Sequence, residues 1–298
     1  MRYKHSDPLS HQKFVAHYMD ATAVTFEFYD RQIQIYPLSA AASLLKPPTP
    51  LFRAEYNFLL LFRTGGGQQQ VDNDVVDLAP NDVLFIRDGH LNAIKSIEPA
   101  TEGYFIHIDS LLLPHIFADG ALLHRLTFYP KHSVSGAEME WLCKCCELLL
   151  SQTGGNASAH EIQLALLKAL VLKLAAATAT TWHKPDRQWE ITTLFKELLY
   201  AHVGQARDVK FYADALAVSE NYLNRCVNHT TNRPPKQHIH ELVIAHSKVL
   251  LQDGSKAIAQ VAFALNFSDP SYFGRLFKQV TTQTPTQYRA ALTQGLSE

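Results

Sequence analysis

The sequence lacks any apolar run of the roughly 18 residues that a membrane-spanning helix requires. Its first residues, MRYKHSDPLSHQKF, also lack the apolar segment of a secretory signal. Both absences favour a cytoplasmic protein over a membrane protein or an exported one. We therefore expect no membrane partner.

Cysteine is scarce, with four residues in 298. Cys143, Cys145 and Cys146 lie together in WLCKCCELLL, and Cys226 stands apart. Their spacing differs from that of zinc fingers, and no second Cys or His pair follows at a zinc-like distance. We interpret them as small buried thiols, with redox sensing or metal binding as the alternatives.

Charge is sparse and nearly balanced, at 18% charged residues and a net charge of −1. This balance excludes bulk attraction to nucleic acid. Residues 190–298 contain 11 Lys and Arg against 9 Asp and Glu, whereas residues 1–189 contain 16 against 19. Phosphate binding by the C-terminal part must therefore depend on individually placed cations, backbone amides and helix N-termini.

The length and the 47% hydrophobic content fit a globular protein of two domains. The first half predicts β-structure, because short alternating or apolar segments are separated by turn residues. Gly65 to Gly67 and Pro80-Asn81-Asp82 mark two of these turns. Strands at about 10-residue spacing predict a barrel or a sandwich.

Helical periodicity begins at about residue 137. Met139, Leu142, Cys146 and Leu149 define the buried side of a first helix. A second, over SAHEIQLALLKALVLKLAAATAT, has an apolar stripe from Ile162 to Lys173 and another from Leu164 to Leu174. This broad apolar surface predicts packing on the protein's own sheet, a dimer face, or both. Residues 181–189 then predict a linker between a domain at 1–180 and one at 190–298.

The last hundred residues predict helices throughout, arranged as a repeat. FYADALAVSENYLNRCV and IAQVAFALNFSDPSYFGRLFK each contain a helix with small residues, a tight break and a second helix. A long helix that starts at Pro234-Pro235 joins them. Each half matches the helix-turn-helix arrangement, in which the second helix lies in the DNA major groove.

The second helix of each half has candidate DNA-contacting residues. Phe273 and Phe277 face the predicted core, and the opposite side carries Ser271, Gly274, Arg275 and Lys278. The first half offers Asn221, Tyr222, Asn224 and Arg225. Asparagine can pair with adenine and arginine with guanine, each through two hydrogen bonds. The alternative is an ordinary helical bundle with a polar surface.

Residues 190–292 resemble the DNA-binding domain of the AraC (arabinose regulator) family of bacterial transcription factors. The resemblance rests on LAVSENYLNRCVNHTTNRPPKQHI and AIAQVAFALNFSDPSYFGRLFKQVTTQTPTQYR. It implies two helix-turn-helix units that read adjacent major-groove segments on one side of promoter DNA. The recognition helices are then expected about 34 Å apart, one turn of DNA. It also implies RNA polymerase as a partner if the protein is an activator.

The chain departs from the family pattern at several positions. Asn266 and Asn232 stand where glycine is usual, and asparagine tolerates the left-handed conformation that such turns require. The linking helix lacks the usual arginine near Leu242. In the first unit Val227 replaces a larger core residue.

The N-terminal half resembles the sensor domain that is usual in this family, a cupin-like β-barrel followed by two helices. This resemblance rests on the segment LAPNDVLFIRDGHLNAI. The resulting fold class is α+β, with this barrel domain and an all-α domain of two helix-turn-helix units. The resemblance implies a small-molecule effector in the barrel, with His90 and His107 as candidate lining residues, and a homodimer. His90 stands alone, and His107 and Asp109 have no matching glutamate, so we expect neither a metal nor a catalytic residue. A cupin enzyme and a protein-interaction module with decayed DNA binding are the rival interpretations.

Overall fold

The structure is a computed structural model, and it describes residues 32–42, 45–54, 56–117, 120–152, 157–178 and 186–295. These residues fall into two compact units, which we call the N-terminal unit and the C-terminal unit, divided at residue 184. The predicted fold class is confirmed: strands followed by helices form the first unit, and the second is helical. The domain boundaries at 180 and 190 stay a prediction.

The N-terminal unit contains two antiparallel sheets. Their strands are β1 (Ile33–Pro37), β2 (Phe52–Arg53), β3 (Asn57–Thr64), β4 (Gly67–Val71), β5 (Asp74–Leu78), β6 (Asp82–Ile86), β7 (Leu91–Ile97), β8 (Glu102–Ile108) and β9 (Lys131–Ser133). One sheet has the order β1-β8-β3-β6-β9, and the other has the order β2-β7-β4-β5. Two facing sheets are the arrangement of jelly-roll and cupin domains. The glycine turn after β3 is present, with Gly65 at a φ of +68°.

Residues of β3 alternate between two cores, as strand geometry requires. Phe58, Leu60 and Phe62 point into the space between the sheets and pack with residues of both. Leu59 and Leu61 point the other way and pack against helices. The strand is therefore buried on both faces, which explains its nearly continuous apolar sequence.

The helices of the N-terminal unit are α1 (Leu38–Ala42), α2 (Leu113–Ile116), α3 (Gly120–Phe128), α4 (Gly136–Ser151) and α5 (Ala157–Ala177), with a 3₁₀ turn at Ser110–Leu112. A capping box formed by Ser135 and Glu138 starts α4. The four residues that predict its buried side are all buried, as are the four cysteines. On α5, Leu167, Val171 and Leu174 are buried, whereas Ile162 is exposed.

The C-terminal unit contains α6 (Arg187–Ala201), α7 (Val209–Ala215), α8 (Glu220–Thr231), α9 (Pro235–Leu251), α10 (Ile258–Ala264), α11 (Pro270–Thr281) and α12 (Pro285–Gly295). Of the predicted linker at 181–189, residues 181–185 lie outside the described residues. Asp186 caps α6 through a 2.7 Å bond from the Trp189 amide, so residues 187–189 form a first helical turn.

The C-terminal unit contains two apolar cores. The first contains α6, α7 and α8, and the second contains α10 and α11. The long helix α9 contributes Ile239 and Leu242 to the first core, and Val243 and Ile244 to the second. The predicted two-part arrangement joined by a long helix is therefore present. No helix within the described ranges is long and apolar enough to cross a membrane.

Candidate DNA interface

Helix α11 has the sharper amphipathic pattern of the two candidate recognition helices. Asp269 caps it and accepts hydrogen bonds from the amides of Ser271 at 2.8 Å and Tyr272 at 3.1 Å. Pro270 occupies the first turn, where its missing amide proton costs nothing. Phe273, Leu276 and Phe277 are buried in the second core, which fixes the side that faces outward.

The outward side of α11 carries the predicted residues. Ser271, Arg275 and Lys278 are exposed, and the Arg275 side chain is 73% accessible. The nearest carboxylate to its guanidinium belongs to Asp269, at 3.8 Å. Gly274 lies among them, and a Cβ added there would meet no other atom within 4 Å. The fold itself therefore has room for a side chain at residue 274.

One sequence expectation about this helix needs correction. Helix N-termini of the C-terminal part were among the groups expected to bind phosphate. The Asp269 carboxylate already takes two of them, and the hydrogen bond from the Ser271 amide lowers the pKa of Asp269 below its usual range. A negative charge therefore occupies the N-terminus of α11, and phosphate contact must come from side chains.

Helix α8 repeats the plan in the first half. The Ser219 hydroxyl caps it by accepting from the Tyr222 amide at 3.2 Å. Its buried residues are Leu223, Cys226 and Val227, and Asn221 and Arg225 are exposed. The buried side is again opposite the predicted DNA-contacting side.

Two predicted residues of α8 have partners within the helix. The Arg225 guanidinium lies 5.0 Å from the centre of the Tyr222 ring, a cation–π contact that places the arginine against the aromatic face. The Asn224 side-chain amide donates to the Glu220 carbonyl at 2.9 Å. This bond uses one of the two amide protons of Asn224 and leaves its oxygen for another donor.

The two helices correspond position by position at an offset of 50 and share their tyrosine and arginine. Tyr222 corresponds to Tyr272, Arg225 corresponds to Arg275, and the caps Ser219 and Asp269 correspond as well. The same offset pairs the exposed Asn228 with Lys278. Sequence reasoning missed Asn228, although an alignment of the two halves on their caps would have found it.

Left-handed residues occur in the turn before α11 and at the end of α8. Asn266 has a φ of +57°, and Asn232, which ends α8, has a φ of +56°. The prediction that asparagine keeps the glycine-type turn is thus confirmed in the backbone. In the first half Ala217 holds the corresponding place at +53°, a conformation that costs an alanine about 1 kcal/mol or more.

The two histidines predicted for the effector site have different surroundings. The Nδ1 atom of His90 lies 2.9 Å from the Asp72 carboxylate, which ties the ring to the β4–β5 turn. The His107 ring lies 4.8 Å from the Tyr56 ring, and burial lowers the pKa of His107. His90 therefore has a partner within the fold, whereas His107 packs beside Tyr56 of the core between the sheets.

Another buried polar pair in that space was missed. The Gln69 amide donates to the Asn92 side-chain oxygen at 3.2 Å. The sheet register places Asn92 between Val71 and Phe52, both of which point inward. No group of three His, Cys, Asp or Glu side chains that could hold a metal is present in the part of the chain that the structure describes.

A family profile described as "Helix-turn-helix domain" matches residues 212–291. The activator RhaR of Mannheimia succiniciproducens is 22% identical over 265 residues, which cover 85% of this chain and 92% of RhaR. The chain has an AraC-type helix-turn-helix domain. The profile match includes both candidate recognition helices, α8 and α11, of this domain.

Solved structures are also similar to this chain. ToxT of Vibrio cholerae matches with a TM-score of 0.45 and 13% identity, over 88% of this chain and 98% of ToxT. An AraC-type regulator from Chromobacterium violaceum matches with a TM-score of 0.32 and 26% identity, over 34% of this chain and 90% of that one.

Proposed function

We propose that this regulator binds promoter DNA by placing α8 and α11 in successive major-groove segments. The observation that carries the proposal is the 50-residue correspondence of the two helices, each with a cap, a buried side and an exposed arginine. The contacting residues are Asn221, Tyr222, Asn224 and Arg225 on α8, and Ser271, Gly274, Arg275 and Lys278 on α11. Asn228 joins them as the counterpart of Lys278.

Fluorescence anisotropy of the full chain on its upstream DNA, across a salt series with unrelated DNA as competitor, tests this proposal. Arg275→Ala should weaken binding by about 1–3 kcal/mol and relax preference at one base if the arginine reads a guanine. If it contacts a phosphate, the loss should be uniform across sequences and the salt slope should fall by about one. Lys144→Ala, an exposed cation of α4, is the control for lost charge. No change in affinity or slope for Arg275→Ala would remove this residue from the interface.

Residues 1–180 are proposed to sense a small molecule between the two sheets, and residues 190–298 to bind DNA. Of the linker predicted at 181–189, the proposal keeps residues 181–186, because residues 187–189 belong to α6. Asn92 is 1% exposed, and its side-chain amide nitrogen has no hydrogen-bond partner among the described residues. A buried donor without a partner is costly, and a bound acceptor would satisfy it. Since aromatic and aliphatic side chains dominate this interior, the proposed effector has an apolar body and a hydrogen-bond acceptor.

Thermal-shift screening of aromatic and aliphatic compounds that carry a carbonyl or hydroxyl group tests the effector site. The double variant Gln69→Leu with Asn92→Leu removes both side-chain amides, so neither is left buried without its hydrogen-bond partner. The variant should therefore still fold. A compound that raises the Tm of the unaltered chain should lose that effect in the double variant. Equal shifts in both proteins would place the effector elsewhere.

A homodimer through α5 is proposed from its exposed apolar stripe. Ile162 and Leu172 are 46% and 55% exposed. Together with Ala165, Ala169 and Ala176 they form a row of apolar residues that are separated alternately by three and four positions. Such spacing is typical of a helix that pairs with another helix. Analytical ultracentrifugation should find a dimer that Leu172→Glu dissociates, whereas Leu111→Glu, at a site 74% exposed, leaves it intact. A monomeric unaltered chain would refute the dimer.

The DNA partner implies that the protein acts in the cytoplasm. RNA polymerase is a further partner if the regulator activates transcription.

A further inference from the structure

The loop of residues 202–208, which precedes α7, reaches from the first helix-turn-helix to the second. One guanidinium nitrogen of Arg207 donates to the Leu265 carbonyl at 2.8 Å, and the other donates to the Asn266 carbonyl at 2.8 Å. These carbonyls follow the end of α10, where a helix has acceptors without partners and a partial negative charge. A planar guanidinium is suited to bind two neighbouring oxygens at once.

The contact is reciprocal. The Asn266 side-chain amide donates to the Gly204 carbonyl at 2.9 Å, so the residue that replaces the usual glycine in this turn adds a bond that glycine cannot make. We call Gly204, Arg207, Leu265 and Asn266 the Arg207 clasp. It involves three hydrogen bonds, two of them charge-assisted.

The clasp is fixed to α7 on one side and to the recognition helix α11 on the other. On the first side, the Tyr212 hydroxyl of α7 donates to the Ala206 carbonyl at 2.9 Å. On the second side, the Arg207 guanidinium stacks 4.0 Å from the centre of the Phe267 ring. That ring is 5.2 Å from Phe273 and 5.9 Å from Tyr272, both in α11. A displacement of the Arg207 clasp would therefore also displace α11.

The clasp supplements a connection that would otherwise depend mainly on α9. That helix crosses both apolar cores, and Val203 packs partly against each. A single shared helix allows two packed bodies to bend relative to each other. A second tie, made by a different segment of the chain, restricts this bending.

We propose that the Arg207 clasp sets the relative placement of α8 and α11, and thereby the spacing between the two DNA segments that the regulator accepts. Arg207 and Asn266 are positioning residues, since they act through the recognition helices. The spacing part of the inference rests on the proposed function of those helices. The placement itself can be measured without DNA.

Pulsed electron–electron spin resonance on the full chain measures that placement. Spin labels at His229→Cys and Gln279→Cys, exposed and at corresponding positions of α8 and α11, report the distance between the helices. The native cysteines are buried, and the chain without added cysteines controls for their labelling. Arg207→Lys keeps the charge but loses the paired bonds, and Asn266→Gly keeps the turn but loses the amide. Both should broaden the distance distribution, whereas Lys210→Ala, an exposed neighbour, should not.

DNA duplexes with one base pair inserted between the two segments provide the second measurement. Arg207→Lys and Asn266→Gly should each reduce discrimination between the native and the lengthened site by about fivefold or more. Unchanged distance distributions in both variants would overturn the clasp, whatever the DNA result. If the distributions broaden while spacing preference stays the same, the proposed role in spacing is wrong. Failure of the unaltered chain to bind any site specifically would instead refute the proposed function. The spin-label distances are measured without DNA, so that failure would not affect them.

Discussion

Replacement of Gly274 by alanine separates the needs of the fold from those of DNA binding. Gly274 lies inside α11, and an added Cβ meets no atom within 4 Å. Alanine is favoured over glycine within a helix by about 0.5–1 kcal/mol. Gly274→Ala should therefore raise the free energy of unfolding by this amount, and raise the Tm of the C-terminal unit by roughly 2–6 °C.

The same methyl group should weaken DNA binding. Gly274 is flanked on the outward side by Ser271, Arg275 and Lys278, so a helix seated in the groove brings its backbone towards the DNA. An extra methyl group in a packed contact costs about 1–3 kcal/mol, which corresponds to an increase of about 5-fold to 150-fold in Kd. Stability and affinity should thus change in opposite directions.

Calorimetry and anisotropy on the same preparation measure both quantities. Ala290→Gly, an exposed helical site on α12, gives the reverse stability change away from the recognition helix and should leave Kd unaltered. If Gly274→Ala binds DNA as tightly as the unaltered chain, α11 does not dock through this side. A lower Tm would show that the space around residue 274 is not open.

Further predictions concern stability and thiol chemistry. Burial lowers the pKa of His238 to about 4, whereas the unfolded chain has the ordinary histidine pKa of about 6.5. As the pH falls, the unfolded chain therefore takes up a proton at His238 before the folded chain does. The contribution of neutral His238 to the free energy of unfolding is present above pH 6.5 and should be lost towards pH 4. The loss should reach about 2 kcal/mol at pH 5, and His238→Gln should remove that part of the pH dependence in chemical unfolding. Ser219→Ala should cost about 1 kcal/mol in the same assay through loss of the α8 cap, and an unchanged midpoint would contradict the cap. Burial raises the pKa of Cys143 to about 11, so a thiol reagent at pH 8 should modify it only after unfolding, and rapid native reaction would reopen the redox alternative.

The sequence alone was informative where local patterns determine structure. The strands, α4, α5 and the repeated helix pairs have periodic buried positions that any compact fold must cover. The conformations of Asn232 and Asn266 were also predictable, since few residues other than glycine accept a positive φ.

Contacts between distant residues could not be predicted in this way. Arg207 lies 58 and 59 residues from the carbonyls it binds, and its sequence neighbourhood is an ordinary polar loop. The pairing of Gln69 with Asn92 likewise depends on sheet register, and the tie between His90 and Asp72 depends on a turn.

The central claim is that α8 and α11 each read one DNA segment. The most direct test is selection of DNA sites from a random pool, done in parallel with the unaltered full chain, Arg225→Ala and Arg275→Ala. The account predicts two conserved segments whose centres lie about one helical turn, roughly 10 base pairs, apart. Arg225→Ala should remove preference within one segment, and Arg275→Ala should do so within the other. A site with a single segment, or two variants that lose the same base preference, would contradict recognition by two helices.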